Sequence, residues 1–237
     1  MIKSAVDSAA PSKIGVIAIM WTIFGAGELV WDIIDAIESI DGSVEQIVLN
    51  KKVSVINFEH YKVITLKKYL EESKKPRWTC QYRIFGFIDP NKQPFLEQIN
   101  QGSKDFHNVQ HARAWVCRTV DPGTGNYFAA NSTIASKVVM ESFNYINRNA
   151  SVGHHTIIGS YNHIGPGAIV CGKCKIGNAN FIGAGAVIKD GITIKDNIIV
   201  GANALVTRDL TEKGVYIGSP ARHIDSIPGG IAAKFHA

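Results

Sequence analysis

The stretch VGHHTIIGSYNHIGPGAIVCGKCKIG, residues 152–177, carries a large aliphatic residue at every sixth position, with mostly small or polar residues between. The same spacing runs without interruption through the second half of the chain. The positions that share it are Phe128, Ile134, Met140, Ile146, Val152, Ile158, Ile164, Val170, Ile176, Ile182, Ile188, Ile194, Val200 and Val206. A helix repeats its apolar residues every three or four positions and a strand every two. A period of six instead predicts a parallel β-helix, in which each hexad forms one side of a triangular coil.

In such a coil the large apolar residues point to the axis and stack on equivalents one coil away. Each is expected to contribute about 1.5–3 kcal/mol when buried. The following residue is often glycine, as at Gly153, Gly159, Gly165, Gly177, Gly183 and Gly201. We expect glycine and asparagine to occupy the corners, because left-handed backbone angles suit these residues.

The first hundred residues follow a different pattern, in which strand-like and helix-like segments alternate. Strands are predicted at residues 14–24, 44–50 and 83–89, helices at 28–40 and 95–101, and a strand end with a short helix at 63–73. Such alternation predicts a small parallel sheet with crossover helices, an α/β half-Rossmann domain. Binding sites in this fold lie at the carboxyl ends of the strands. The predicted fold class is therefore a half-Rossmann domain followed by an all-β parallel β-helix.

Composition narrows the classes of partner. The net charge is +5, but the basic residues are scattered rather than clustered, so we expect phosphorylated small molecules and neither nucleic acid nor membrane. The apolar run at residues 14–24 is shorter than the roughly 20 residues that span a bilayer, although a signal peptide is an alternative to a buried strand. Four cysteines in a chain of 237 residues do not form a typical disulfide framework, so a cytoplasmic location is expected.

Several motifs resemble one known family. The hexads, GHH at 153–155, HIGPGA at 163–168 and VYIGSPARHI at 215–224 look like the left-handed β-helix sugar acyltransferases, typified by sialic acid O-acetyltransferase and the bacillosamine-pathway N-acetyltransferase. IFGAG, VEQIVLN, RIFGFID and FHNVQHARAWV follow the order of that family's nucleotide-sugar domain. The resemblance covers most of the chain.

The resemblance implies a division of the chain and an assembly. Residues 1–110 would form a Rossmann-like nucleotide-sugar-binding domain, residues 111–219 a left-handed β-helix acetyltransferase domain, and residues 220–237 a carboxyl-terminal tail. It also implies a homotrimer in which acetyl-CoA lies between neighbouring β-helices, so that the active site is shared by two subunits.

The nucleotide half departs from the family pattern. Where the family typically has GAGGH, Glu28 and Leu29 follow the GAG, and the usual paired acids after the second strand are replaced. The candidate substrate-binding residues are Gly25, Ala26, Gly27, Asn50, Lys51 and Asp89. Amides of a GAG turn before a helix can bind a pyrophosphate, although Glu28 in the first turn would repel it.

Acetyl transfer from a thioester needs a base that removes a proton from the attacking group, and histidine suits this role near neutral pH. His154 matches the position of the family's catalytic base; the alternative is a surface imidazole. His155 stands where the family often has an acid that orients the base, and it cannot supply negative charge. Glu141, one coil earlier, is the candidate acid.

The resemblance also implies contacts with acetyl-CoA. His163 matches a second family histidine near the thioester, with structural hydrogen bonding as the alternative. The remaining cofactor-binding candidates are Gly172, Gly183, Ala184, Gly201, Ala202, Pro220 and Arg222. Small residues would let the pantetheine lie against main-chain amides, and Arg222 would pair with a phosphate.

No metal is expected. Three histidines on a β-helix also suggest zinc, as in the gamma-class carbonic anhydrases, but the side chains of adjacent His154 and His155 should diverge along an extended chain. Cys171 and Cys174 form a lone CxxC, for which packing is the favoured role.

The expected function is acetyl-CoA-dependent N-acetylation of a nucleotide-linked amino-deoxy sugar for a surface glycan, by direct attack with His154 as the base. O-acetylation of a sialic-acid-like sugar and a non-catalytic trimeric sugar-nucleotide-binding scaffold are the alternatives.

Overall fold

The computed structural model describes residues 20–49, 58, 60–73, 82–88, 93–99 and 105–225. Asn50, Lys51 and Asp89 lie outside these residues, as does the first part of the strand predicted at 14–24. None of the helices in the described part of the chain is long and apolar enough to cross a bilayer.

The amino-terminal part is a four-stranded parallel sheet with helices between the strands, which confirms the predicted half-Rossmann domain. Its elements are β1 (Met20–Phe24), α1 (Leu29–Glu38), β2 (Ser43–Leu49), β3 (Lys62–Thr65), α2 (Leu66–Glu72), β4 (Tyr82–Phe85) and α3 (Gln93–Ile99). The strand order is β3-β2-β1-β4, and every pairing is parallel. The buried stripe of α1, which includes Ile33 and Ile37, packs with Ile23 of β1 and Ile47 of β2 in one apolar cluster.

The remaining strands are short and follow one another at a nearly constant spacing. They are β5 (Val109–Gln110), β6 (Trp115–Val116), β7 (Asp121–Pro122), β8 (Tyr127–Phe128), β9 (Thr133–Ile134), β10 (Val139–Met140), β11 (Tyr145–Ile146), β12 (Ser151–Val152), β13 (Ile157–Ile158), β14 (His163–Ile164), β15 (Ile169–Val170), β16 (Lys175–Ile176), β17 (Phe181–Ile182), β18 (Val187–Ile188), β19 (Thr193–Ile194), β20 (Ile198–Val200), β21 (Leu205–Val206), β22 (Gly214–Ile217) and β23 (Arg222–Asp225).

These strands form the three faces of a left-handed parallel β-helix, as predicted. Face I contains β5, β8, β11, β14, β17, β20 and β22, with β23 added antiparallel; face II contains β6, β9, β12, β15, β18 and β21; face III contains β7, β10, β13, β16 and β19. Along each face, strands pair with a shift of eighteen residues, as in Val152 with Val170. All fourteen residues of the six-residue pattern are at most 3% exposed. The coil begins at β5, before that pattern, where Gln110 and Pro122 stand at equivalent positions.

The three corners of the coil run the length of the β-helix as edges. We call residues 135–138, 153–156, 171–174 and 189–192, between faces II and III, the histidine edge. Residues 147–150, 165–168, 183–186 and 201–204, between faces I and II, are the glycine edge. Residues 123–126, 141–144, 159–162 and 177–180, between faces III and I, are the asparagine edge.

The prediction that glycine and asparagine occupy the corners is only partly right. A positive φ recurs at every sixth residue, but Lys137, Phe143, His155, Tyr161, Lys173 and Ala179 also adopt it. The glycines that follow the core residues lack it, and they are small for another reason. A Cβ on Gly153 would lie 2.5 Å from the carbonyl carbon of Cys171 on the next coil. These glycines therefore let the coils approach each other.

A ladder of buried asparagines stabilises the asparagine edge. The side-chain oxygens of Asn108, Asn126, Asn144 and Asn162 each accept the backbone N–H of the asparagine one coil on, at 2.8–2.9 Å. Asn180 ends the ladder by accepting the N–H of Ile198 at 2.8 Å. Because an unpaired polar group inside a protein is costly, each rung depends on its neighbours.

Helix α1 of the amino-terminal part packs against the β-helix through polar contacts. The Tyr127 hydroxyl donates to the Asp32 carbonyl at 2.9 Å, and Nε2 of the buried His111 lies 3.0 Å from the Asp35 carboxylate. Arg148 forms an ion pair with Asp32 at 3.4 Å. His111 belongs to the first coil and Arg148 to a later one, so the amino-terminal end of α1 points toward the later coils.

We predict that Asn144→Ala lowers the free energy of unfolding by about 2–4 kcal/mol, because it removes an acceptor and leaves buried donors unpaired. Asn144 is 2% exposed and also donates to the Glu141 carbonyl at 3.1 Å. Urea denaturation measures the change. Asn149→Gly is the control, since this exposed residue has a φ of 57° that glycine adopts freely. Equal effects of the two substitutions would contradict the role of the ladder.

Candidate active site

His154 lies exposed on the histidine edge, immediately after β12 and Gly153. Its ring rests over Gly172 on the next coil, where an added Cβ would lie 2.9 Å from both Cε1 and Nε2. The Gly172 N–H in turn donates to Oδ1 of Asp190 at 3.0 Å. A glycine at position 172 therefore makes room for the imidazole.

His155 turns back toward His154. It has a φ of 58°, and its Nδ1 lies 3.1 Å from Nδ1 of His154, with the two rings at 88°. The expectation that these side chains diverge is wrong, because a left-handed corner residue does not continue an extended chain. Among residues 20–225 as far as the structure describes them, no three histidines, cysteines or acids are grouped as for a metal ion.

The histidine edge carries positive charge around this pair. Lys137 and Lys173 occupy the same corner position as His155 on the coils before and after it, and both are exposed. Burial, and then the charge of Asp190, raises the pKa of the Cys171 thiol. Cys174 is fully buried in the core, as its predicted packing role requires. The exposed surface of this edge therefore suits an anionic ligand.

Glu141 lies elsewhere. It follows β10 on the asparagine edge, where its carboxylate accepts a hydrogen bond from the Ser160 hydroxyl at 2.8 Å. His154 stands two sides of the triangle further along the chain, at a different corner. Within one chain the structure therefore does not bring Glu141 and His154 together, because a position one coil earlier would have to be eighteen residues away.

Most of the predicted cofactor-binding residues lie on the glycine edge. Gly183, Ala184, Gly201 and Ala202 belong to it, and the chain around Pro220 extends it, since the Ala221 N–H donates to the Leu205 carbonyl at 2.7 Å. The alanines are exposed, as are Pro220 and Arg222. The glycines are needed for packing, since a Cβ on Gly183 would lie 2.6 Å from the Ala202 nitrogen. Gly172 is separate from this group, on the histidine edge.

His163 is a buried residue of face I. It is 6% exposed and stacks between Tyr145 and Phe181, with ring centroids 5.4 and 4.6 Å away. Tyr127 continues the stack, and burial raises the pKa of the Tyr145 hydroxyl. His163 is thus apart from His154 within the chain and packs between two aromatic rings, and its contact with acetyl-CoA stays a prediction.

The GAG turn lies between β1 and α1. Gly25 is required for packing, since a Cβ there would lie 2.8 Å from the Gly86 carbonyl oxygen, whereas the space beside Gly27 is open. Ala26 is buried. Glu28 caps α1 without a side-chain hydrogen bond. The turn therefore leaves room for a ligand at Gly27.

Sequence reasoning missed Arg148. It is the exposed residue of the glycine edge that stands two coils before Ala184, and it pairs with Asp32 in the first turn of α1. The signal was present, because residues 148, 166, 184 and 202 share one position in the eighteen-residue coil.

Comparisons with known proteins agree with this architecture. The family described as "Bacterial transferase hexapeptide (six repeats)" matches residues 173–208. A search of curated proteins gives no significant match.

Solved structures are similar over nearly the whole fold. PerB from Caulobacter crescentus, in complex with CoA and GDP-perosamine, is 25% identical, with a TM-score of 0.75, 86% of this chain covered and 97% of that one. A histidine-to-asparagine variant of perosamine N-acetyltransferase from the same organism is 24% identical, with a TM-score of 0.77 over 87% and 97% of the two chains. The acetyltransferase domain of PglB from Neisseria gonorrhoeae, bound to acetyl coenzyme A, is 21% identical, with a TM-score of 0.77 over 87% and 100%.

The repeat match and the structural similarity support the same assignment. Each of these solved structures shares both parts of the fold, since almost the full length of each is covered. Residues 173–208 therefore carry a repeat described for bacterial transferases, and the chain shares the overall fold of these solved structures.

Proposed function

We propose that this chain is an acetyl-CoA-dependent N-acetyltransferase that acts on the amino group of a nucleotide-linked amino-deoxy sugar used in a surface glycan. One observation carries the proposal: an exposed imidazole, His154, lies over a glycine on a basic edge of the β-helix. The structurally similar proteins bound to CoA and GDP-perosamine support the substrate class.

In the proposed reaction, the lone pair of the neutral sugar amine attacks the thioester carbonyl, and His154 takes a proton from the nitrogen as the new C–N bond forms. The C–S bond then breaks, and its electron pair leaves on the CoA thiolate. The proton on His154 is returned to the thiolate or to water. Backbone N–H groups beside the carbonyl would stabilise the developing oxyanion.

The separation of the two edges supports an active site between subunits. His154 lies on the histidine edge and the cofactor candidates on the glycine edge, with face II between them. The two groups would meet if the histidine edge of one chain lay against the glycine edge of its neighbour. Such a head-to-tail contact closes into a ring, and we propose a homotrimer.

The outer surfaces of the β-helix support this assembly. Trp115 and Ile169 on face II are 56% and 43% exposed, and Val139 and Ile157 on face III are 44% and 50% exposed. Large apolar side chains at the solvent surface are typical of sites that another subunit covers.

We place the nucleotide diphosphate at the amino-terminal end of α1. The open space at Gly27 and a helix start to which the Glu28 side chain makes no capping hydrogen bond support this, and Arg148 would offset the negative charges of Glu28 and Asp32. Asn50, Lys51 and Asp89 stay candidates for contacts with the rest of the nucleotide sugar. The free thiols of Cys117, Cys171 and Cys174 fit a proposed cytoplasmic location.

A non-catalytic sugar-nucleotide-binding scaffold is the second candidate. It is favoured by the altered residues after the GAG turn and because, among the residues that the structure describes, the hydrogen-bond partner of His154 is His155 and not a carboxylate. O-acetylation would use the same base on a hydroxyl, and the assay below separates it from N-acetylation.

We predict that His154→Ala lowers kcat/KM by about 10²- to 10⁴-fold, because the amine loses its proton acceptor. Thiol release from acetyl-CoA is measured with UDP-, GDP- and dTDP-linked amino sugars, and the mass of the product after mild base distinguishes amide from ester. His60→Ala, at an exposed imidazole of the amino-terminal domain, is the control. If kcat/KM of His154→Ala stays within a few-fold of the wild-type value, His154 is not the base. If the wild type releases no thiol with any of these acceptors, the result favours the scaffold.

Gly172→Ala is predicted to lower kcat by about 10- to 100-fold, because the added methyl would displace the His154 ring. The double variant Gly172→Ala/His154→Ala should be no less active than His154→Ala alone, since the two changes act on one group. Additive losses would show that Gly172 acts independently of His154.

The shared site predicts complementation. His154→Ala chains retain an intact glycine edge, and Ala184→Trp chains, in which the groove is blocked, retain an intact histidine edge. When the two inactive chains are mixed equally, about a quarter of the interfaces in the trimers should be active. These are the interfaces in which the intact histidine edge of one chain meets the intact glycine edge of the other. Mixed trimers that stay inactive would show that each chain carries its own complete site.

A further inference from the structure

We propose that His155 is a positioning residue that accepts a hydrogen bond at Nδ1 from His154 and thereby fixes which nitrogen of His154 is the base. This inference rests on the proposed function of His154. It assigns to a neutral imidazole the orienting role for which the sequence suggested a carboxylate.

The geometry allows only one proton between the two rings. The two Nδ1 atoms are 3.1 Å apart, so one nitrogen donates and the other accepts. The corner that presents His155 is itself fixed, because its backbone N–H donates to the Ser136 carbonyl at 3.0 Å. The φ of 58° then directs the ring back along the edge.

The direction of that hydrogen bond decides whether His154 can act. If His154 donates from Nδ1, its Nε2 carries the lone pair and can accept the proton of the amine. If His155 donates instead, Nδ1 of His154 is occupied as an acceptor and Nε2 carries the hydrogen. Only the first arrangement gives a base whose free nitrogen is directed away from its partner.

Other described groups on this edge do not replace His155. On the other coils the same corner position is occupied by Lys137, Lys173 and Gly191. A charged lysine side chain only donates hydrogen bonds, and glycine has no side chain, so none of the three can accept one from His154. Asp190 accepts the Gly172 N–H, and Glu141 lies on another edge with Ser160. His155 is the group within hydrogen-bond distance of His154.

The pair also has a consequence during transfer. When Nε2 of His154 takes up the proton, the ring becomes cationic and the Nδ1–H bond to His155 becomes charge-assisted, which strengthens it. The positioning contact is therefore strongest in the state that follows proton removal from the amine.

The direct test is the tautomer of His154 in the trimeric protein as purified, read from long-range ¹H–¹⁵N correlations of imidazole-labelled histidine, with His154→Ala used for assignment. We expect the Nδ1–H form in the wild type and in His155→Asn, whose side-chain oxygen occupies the place of the Nδ1 acceptor and whose residue type tolerates a positive φ. In His155→Ala we expect this preference to be lost. An Nε2–H form of His154 in the wild type would overturn the inference.

The kinetic test separates positioning from stability. His155→Ala is expected to lower kcat about 10- to 100-fold with KM within about threefold, and His155→Asn to restore kcat to within about fivefold of wild type. Asn131→Ala, at an exposed corner with a φ of 59°, is the matched control for backbone strain and should leave kcat unchanged. Full activity of His155→Ala, or an equal loss in His155→Asn, would overturn the assignment.

The two readouts distinguish this inference from the proposed function. If the tautomer depends on His155 while His154→Ala keeps full turnover, the proposed base is wrong and the positioning contact is real. If His154→Ala is inactive and the tautomer is the same in His155→Ala as in the wild type, the base is right and His155 has no positioning role.

Discussion

The parallel pairing of each residue with the residue eighteen positions on is the constraint from which the rest of the β-helix follows. Neighbouring strands of a sheet lie about 4.8 Å apart, so every coil must have the same circumference as the one before it. The aliphatic core, the buried asparagines and the glycines after the core residues are three ways of keeping this spacing. The same constraint aligns His154, Gly172 and Asp190 in one column, on which the candidate site is built.

The amino-terminal domain is positioned by the same columns. Helix α1 meets the β-helix through Asp32 and Asp35, whose partners Arg148, Tyr127 and His111 belong to different coils. The first turn of the helix therefore contacts later coils than the turn that follows it. Its amino-terminal end, with the GAG turn, is directed over the later coils, which places the proposed diphosphate site next to the glycine edge of the same chain.

Much of the fold could be predicted from the sequence, because a six-residue period and a strand–helix alternation each permit one simple architecture. The residue types at the corners could not be predicted, since the free-energy cost of a positive φ is small enough for residues such as Lys173 and Tyr161 to adopt it. The single-residue roles at the site were harder still. The role of His154 stays a prediction from its motif, and its contact with His155 depends on a backbone turn that spacing alone does not reveal. Glu141 was placed one coil from His154, whereas it lies at another corner.

The left-handed corners separate the residues that hold the chain together from those exposed to solvent. Exposed corner side chains, such as those of Lys137, His155 and Lys173, contribute little to the core, whereas the backbone around them is held by hydrogen bonds from the adjacent coils. Substitutions there can change the chemistry of an edge while the prism keeps its shape. A protein built in this way can acquire a new acceptor specificity through a few exchanges along one line of its surface, without first redesigning its interior.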